Sequence, residues 1–207
     1  MLRPSITLFA TGLSAALLLG ACSKADTGTA DTGAVSAAPA AIPADTGMGS
    51  MAGMDHSTMS STPAKDADQE FVRMMVDHHQ GLLALSDTAL ARNPSERIRM
   101  DAREMKQKQT AEQKRMLTML KSDYGEDKMP MVMPSNARMV SDVASKTGVG
   151  LDRAFRENVI AHHEEALKMV NDYEPRFTKP AVRTMAAKMK ADQQKEIAKL
   201  KSELGKM

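Results

Sequence analysis

Two histidine doublets, His78-His79 and His162-His163, are the residues of this chain best suited to chemistry, because imidazole coordinates metals and moves protons near neutral pH. They are related by an internal repeat. Displaced by 84 residues, the segment Phe71 to His79 falls on Phe155 to His163, and the register continues with Leu85 on Met169, Met105 on Met189, Gln109 on Gln193 and Glu112 on Glu196. A supersecondary unit has been used twice, and each copy keeps imidazole, thioether, amide and carboxylate groups at matching positions. Thioether and imidazole together suit a soft cation such as Cu(I) or Ag(I), whereas imidazole alone also accepts Cu(II) or Zn(II). The sequence-level metal candidates are His78, His79, His162, His163, Met105, Met189, Met75 and Met169. Gln109, Glu112, Gln193 and Glu196 stand behind them as supporting polar groups. A second soft cluster, Met48, Met51, Met54, His56 and Met59, lies upstream in a stretch of Gly, Ser and Ala.

Long helices must position these groups. Residues at spacings of three and four define apolar stripes: Phe71, Met75, His78, Leu82, Leu85 and Ala89 in one segment, and Phe155, Val159, His162, Ala166, Met169 and Tyr173 in its repeat. The second histidine of each pair lies about 100° further round. Start and stop signals give four long helices. Asp66 with Gln69 opens the first, which ends near Arg92; Asn93 as cap with Pro94 in the first turn opens the second, which ends near Tyr124-Gly125. A short helix from about Ser135 to Lys146 follows the loop Met129 to Pro134. Asp152 caps the third long helix, and Thr178 or Lys179 starts the fourth, with Pro180 in its first turn. Counting back from a turn near Asn93 sets His78 beside Met105 and Gln109, and Glu112 opposite Met74 and Met75. The expected fold is all-α, an antiparallel four-helix bundle made of two tandem hairpins, about 68–123 and 152–205, within a domain spanning 66–207.

Composition excludes several classes. The 207 residues are 42% hydrophobic but only 3% aromatic, without Trp and with 19 Met, so the core must be filled largely by aliphatic and thioether side chains. A formal charge of +2 with interspersed signs argues against nucleic acid. Arg3, the apolar run Ile6 to Leu19 and Leu19-Gly20-Ala21-Cys22 resemble a bacterial lipoprotein signal, residues 1–21. That resemblance implies export, lipidation of Cys22 and a membrane anchor without a spanning helix. Ser23 then points to the periplasmic face of an outer membrane. Residues 22–65 read as a tether too polar and small to order themselves. No nucleophile constellation is present, because the single cysteine is committed to lipid.

The His-His element after an aromatic-opened helix, the second copy introduced by Gly150-Leu151-Asp152-Arg153-Ala154-Phe155, and Met105-Gln109-Glu112 with Met189-Gln193-Glu196 resemble the ferritin-like family of domain of unknown function 305. The resemblance implies an exported four-helix bundle, with copper binding or tolerance through Met and His in some members. The Met that often follows the His pair is Met169 in repeat two, but Leu85 stands in repeat one. The expected activity is copper buffering or transfer without catalysis, with another copper-handling envelope protein as partner. Two other readings use the same residues. A di-iron or di-manganese oxidase would place Glu three residues before each ligand histidine, where Met75, Val76, Val159 and Ile160 stand instead. A structural or stress-associated envelope lipoprotein would satisfy its polar layer without metal.

Overall fold

The computed structural model describes residues 62–207. The signal segment, Cys22 and the cluster Met48, Met51, Met54, His56 and Met59 lie outside the described residues. Five helices follow in order: α1 Ala67–Ala91, α2 Glu96–Tyr124, α3 Pro134–Ala144, α4 Gly148–Tyr173 and α5 Pro180–Leu204, with a 3-10 turn Glu174–Arg176 after α4. Among the described residues there is no strand, and no described helix is long and apolar enough to cross a membrane.

Helix ends explain the boundaries. Asp66 caps α1 by accepting from the Gln69 N–H at 2.7 Å, while the Gln69 amide oxygen accepts from the Lys65 N–H. The cap of α2 is Ser95, not the expected Asn93. Asn93 takes a left-handed turn (φ 53°), a conformation asparagine tolerates, and Ser95 Oγ then accepts from the Ile98 N–H. Gly125, also left-handed at φ 70°, closes α2 by donating to the Leu120 and Lys121 carbonyls. Helix α4 begins at Gly148, a turn before the expected cap Asp152. Asp152 instead accepts from the Ser95 N–H at 3.1 Å, tying α4 to the α1–α2 connection. Pro180 occupies the first position of α5 as expected. The fully buried Asp68 of α1 accepts from the Thr178 and Lys179 N–H groups and the Thr178 hydroxyl, capping α5 from across the bundle.

Helices α1 and α4 pack antiparallel on each other, each carrying its hairpin partner, α2 or α5, while α3 lies across both. The α3 contact depends on Gly81, where a Cβ would fall 2.6 Å from the Cβ of Asn136. The loop before α3 is pinned by the buried Asp77 carboxylate, which pairs with Lys128 at 2.7 Å and accepts from the Met131 N–H.

The core is two apolar clusters. One gathers Phe71, Met75, Met116, Leu120, Val170 and Val182; the other gathers Leu82, Leu85, Ile98, Met105, Phe155 and Leu200. Repeat-related residues fall in opposite clusters: Phe71 against Phe155, and Met189 against Met105. The two hairpins are therefore related by a pseudo-twofold axis, and the histidines occupy the level between the clusters.

Candidate metal centre

Because α1 and α4 are the central helices, both members of each histidine pair are enclosed. His78, His79, His162 and His163 are at most 1% exposed. At the pseudo-twofold axis the repeat-equivalent His78 and His162 stack, with ring centroids 3.7 Å apart. His162 Nε2 lies 2.9 Å from the His78 carbonyl oxygen. A carbonyl only accepts, so Nε2 carries the proton and Nδ1 presents a lone pair. Further out, His79 Nε2 is 3.1 Å from Glu112 Oε2, and His163 Nε2 is 2.9 Å from Glu196 Oε2. The His163 approach lies off the direction of a ring hydrogen bond.

The nitrogens left over matter most. Nδ1 of all four imidazoles is buried without a hydrogen-bond partner, as are Gln109 Oε1 and both side-chain polar atoms of Gln193. Unpaired buried polar groups cost free energy that water or a cation can recover. Burial, and then the neighbouring imidazoles, push His78 and His162 well below the ordinary histidine pKa. Both are neutral at pH 7, the form that coordinates metal. Burial works against ionised Glu196, but contacts with His163 and Lys108 outweigh it and lower its carboxyl to about 2. Burial raises Glu165, whose Oε2 lies 3.7 Å from His78 Nε2.

The hairpin register differs from the expected one by about a helical turn. Glu112 faces His79, not Met74 and Met75, and Gln113 donates to the Val76 carbonyl at 3.0 Å. The reason is the cap at Ser95, which starts α2 later than a turn centred on Asn93 implies.

Helices α2 and α5 leave a groove between them of about 560 Å³. Its lining includes Met105, Gln109 and Glu112 from one repeat and Met189, Gln193 and Glu196 from the other. An adjoining hollow of about 420 Å³ continues past Met119, Met185 and Met189. The histidines do not line the groove; the Glu112 and Glu196 carboxylates stand between it and the rings. Met75 is fully buried in the first apolar cluster, and Met169 is half-buried against it, both away from the groove lining. Among the described residues, no three or more His, Cys, Asp or Glu side chains converge as a cation cage. A donor set built here must therefore draw on thioether sulfur, amide oxygen or imidazoles two at a time, which fits a soft, low-coordinate ion better than a hard one. Glu165, one turn after His162, and Lys108, which reaches Glu196, are site residues that the repeat pattern does not single out.

Known proteins share this fold. The sequence pattern of the family described as "Domain of unknown function (DUF305)" matches residues 19–120 and again 121–204. A DUF305 fragment from Deinococcus radiodurans is 25% identical, with a TM-score of 0.60 over 70% of this chain and 100% of that one. A DUF305 protein from Streptomyces coelicolor is 21% identical, with a TM-score of 0.60 over 69% and 95%. CopM in its Cu(I)-bound form is 24% identical, with a TM-score of 0.56 over 65% and 93%, and CopM is also solved in Cu(II)-bound and Ag-bound forms. At these identities the likeness to CopM establishes the fold. No curated protein matches the chain.

Proposed function

The chain belongs to the DUF305 family, and from that premise we propose that it captures copper, Cu(I) above all, in the imidazole layer and holds or hands it on without catalysing a reaction. The observation that carries this reading is the set of four buried imidazoles, each with an unpartnered Nδ1, lying behind a groove that Met105 and Met189 help to line. Neutral His78 and His162 offer lone pairs without losing a proton first. The thioethers favour Cu(I) or Ag(I), while the imidazoles accept Cu(II) or Zn(II) less selectively. The copper- and silver-bound forms of CopM support the same choice of cargo. Glu112 and Glu196, between groove and rings, attract the ion, and Glu112 orients His79 through its hydrogen bond. Lipidation at Cys22 anchors the protein to an envelope membrane, where the Met48–Met59 cluster adds a second soft site and another copper-handling protein supplies or receives the ion.

Competition with a Cu(I) chelator, in the mature chain with Met48, Met51, Met54, His56 and Met59 replaced, tests the proposal. Replacing His78, His79, His162 and His163 together with Ala is expected to abolish the tight binding while far-UV circular dichroism stays helical. Met105→Leu with Met189→Leu, which preserves volume, is expected to weaken Cu(I) by at least about tenfold while Zn(II) binding is retained. Unchanged Cu(I) affinity in the quadruple variant would reject the bundle site.

A further inference from the structure

The two halves of the groove are duplicated in sequence but opposite in charge at one pair of positions. In repeat one, Glu104 and Lys108 form an i,i+4 ion pair at 2.8 Å; the repeat-equivalent residues are Lys188 and Asp192, also an ion pair, with the order of signs reversed. The reversal has a consequence across the groove. Lys108, on α2, also reaches Glu196 on α5 at 2.9 Å, and Glu196 is the carboxylate against His163. The corresponding carboxylate, Glu112, contacts His79 but makes no ion pair with a lysine or arginine among the described residues. The equivalent of Lys108 on that side is the acidic Asp192, which lines the same groove. One half therefore presents carboxylate and imidazole open to a cation, and the other has an ammonium group already seated on its carboxylate.

We infer that Lys108 makes the two halves unequal, so that a soft cation entering the groove loads first on the Glu112–His79 side and reaches the Glu196–His163 side only after displacing the Lys108 ammonium. Lys108 is a positioning residue in this scheme: it touches no ion and acts through Glu196. Supporting it, the Lys108 ammonium lies 2.9 Å from Glu196 Oε1, so the carboxylate is committed to a cation before any metal arrives. The second half then serves as the weaker, exchangeable position, suited to release. The inference rests on the copper-capture reading and adds an order of loading to it.

The test uses Ag(I), a d10 counterpart of Cu(I) that is not oxidised in air, titrated into the full chain while ring-nitrogen NMR signals of the histidines are followed. In the wild type the His79 signals are expected to move at lower silver than those of His163, with affinities separated by roughly tenfold, the scale of a unit charge a few ångströms away in a half-exposed groove. Lys108→Met keeps the length of the side chain and removes its charge at a half-exposed position. It is expected to bring the two sets of signals together by strengthening the second half. The double change Lys188→Glu with Asp192→Lys copies the repeat-one pattern into repeat two, and is expected to bring them together by weakening the first. Simultaneous movement in the wild type, or an unchanged order in both variants, would overturn the role of Lys108 while leaving copper capture standing. Absence of silver binding altogether would remove the capture reading and this inference with it.

Discussion

Buried neutral imidazoles exert a measurable pull on stability in the metal-free protein. His78 and His162 bind protons readily when unfolded, with a pKa of about 6.5, but resist protonation when folded because burial and the neighbouring rings oppose the charge. The unfolded state therefore holds more protons in acid, and stability present above pH 6.5 is lost as pH falls toward the depressed native values. Each ring contributes up to about 1.4 kcal/mol per pH unit. Urea unfolding of metal-free protein between pH 7.5 and pH 5 should show this decline, and replacing His78 and His162 with Gln should flatten it. A wild-type midpoint independent of pH would contradict the burial argument. The residue scale is also where the sequence was most readable, since the offset between Phe71-to-His79 and Phe155-to-His163 singled out all four rings. It did not reveal Glu165 or Lys108, because their roles depend on which neighbouring helix they meet.

At the scale of elements, the register of the hairpins sets the donor layer. The helices α1, α2 and α5 were legible from periodicity and from Asp66, Gly125 and Pro180. The connection around Asn93 was not, because Asn-Pro-Ser offers two caps and only the left-handed φ of Asn93 decides for Ser95. That choice moves Glu112 onto His79. The start of α4 was obscured for a similar reason: Asp152 resembles a cap, but it is used to bind the Ser95 N–H. Helix α3 packs on α1 and α4, and its seat on Gly81 has no room for a methyl group. Gly81→Ala should cost about 1–3 kcal/mol in thermal or urea unfolding, as overpacking does. Asn136→Gly in the same chain should recover part of that loss, a coupling a double-mutant cycle detects. Additive costs would mean that α3 does not rest on Gly81.

For the whole molecule, duplication and its imperfections belong together. Two hairpins related by a pseudo-twofold axis bring the equivalent His78 and His162 rings against each other at a tilt of 34° and divide the core into two apolar clusters, a layout that leaves a polar layer between them. The clusters hold nearly all the buried apolar side chains, and the layer between them is where the fold gives up hydrogen bonds. Such a concession is understandable if an ion completes the layer. The central claim is that imidazole nitrogen and methionine sulfur share that ion. X-ray absorption at the copper edge of the Cu(I)-loaded chain, with the tether residues Met48, Met51, Met54, His56 and Met59 replaced, tests this directly. A low-coordinate shell of both nitrogen and sulfur, with the outer-shell signature of imidazole, is expected. A shell of sulfur alone, or of oxygen and nitrogen without imidazole scattering, would contradict it.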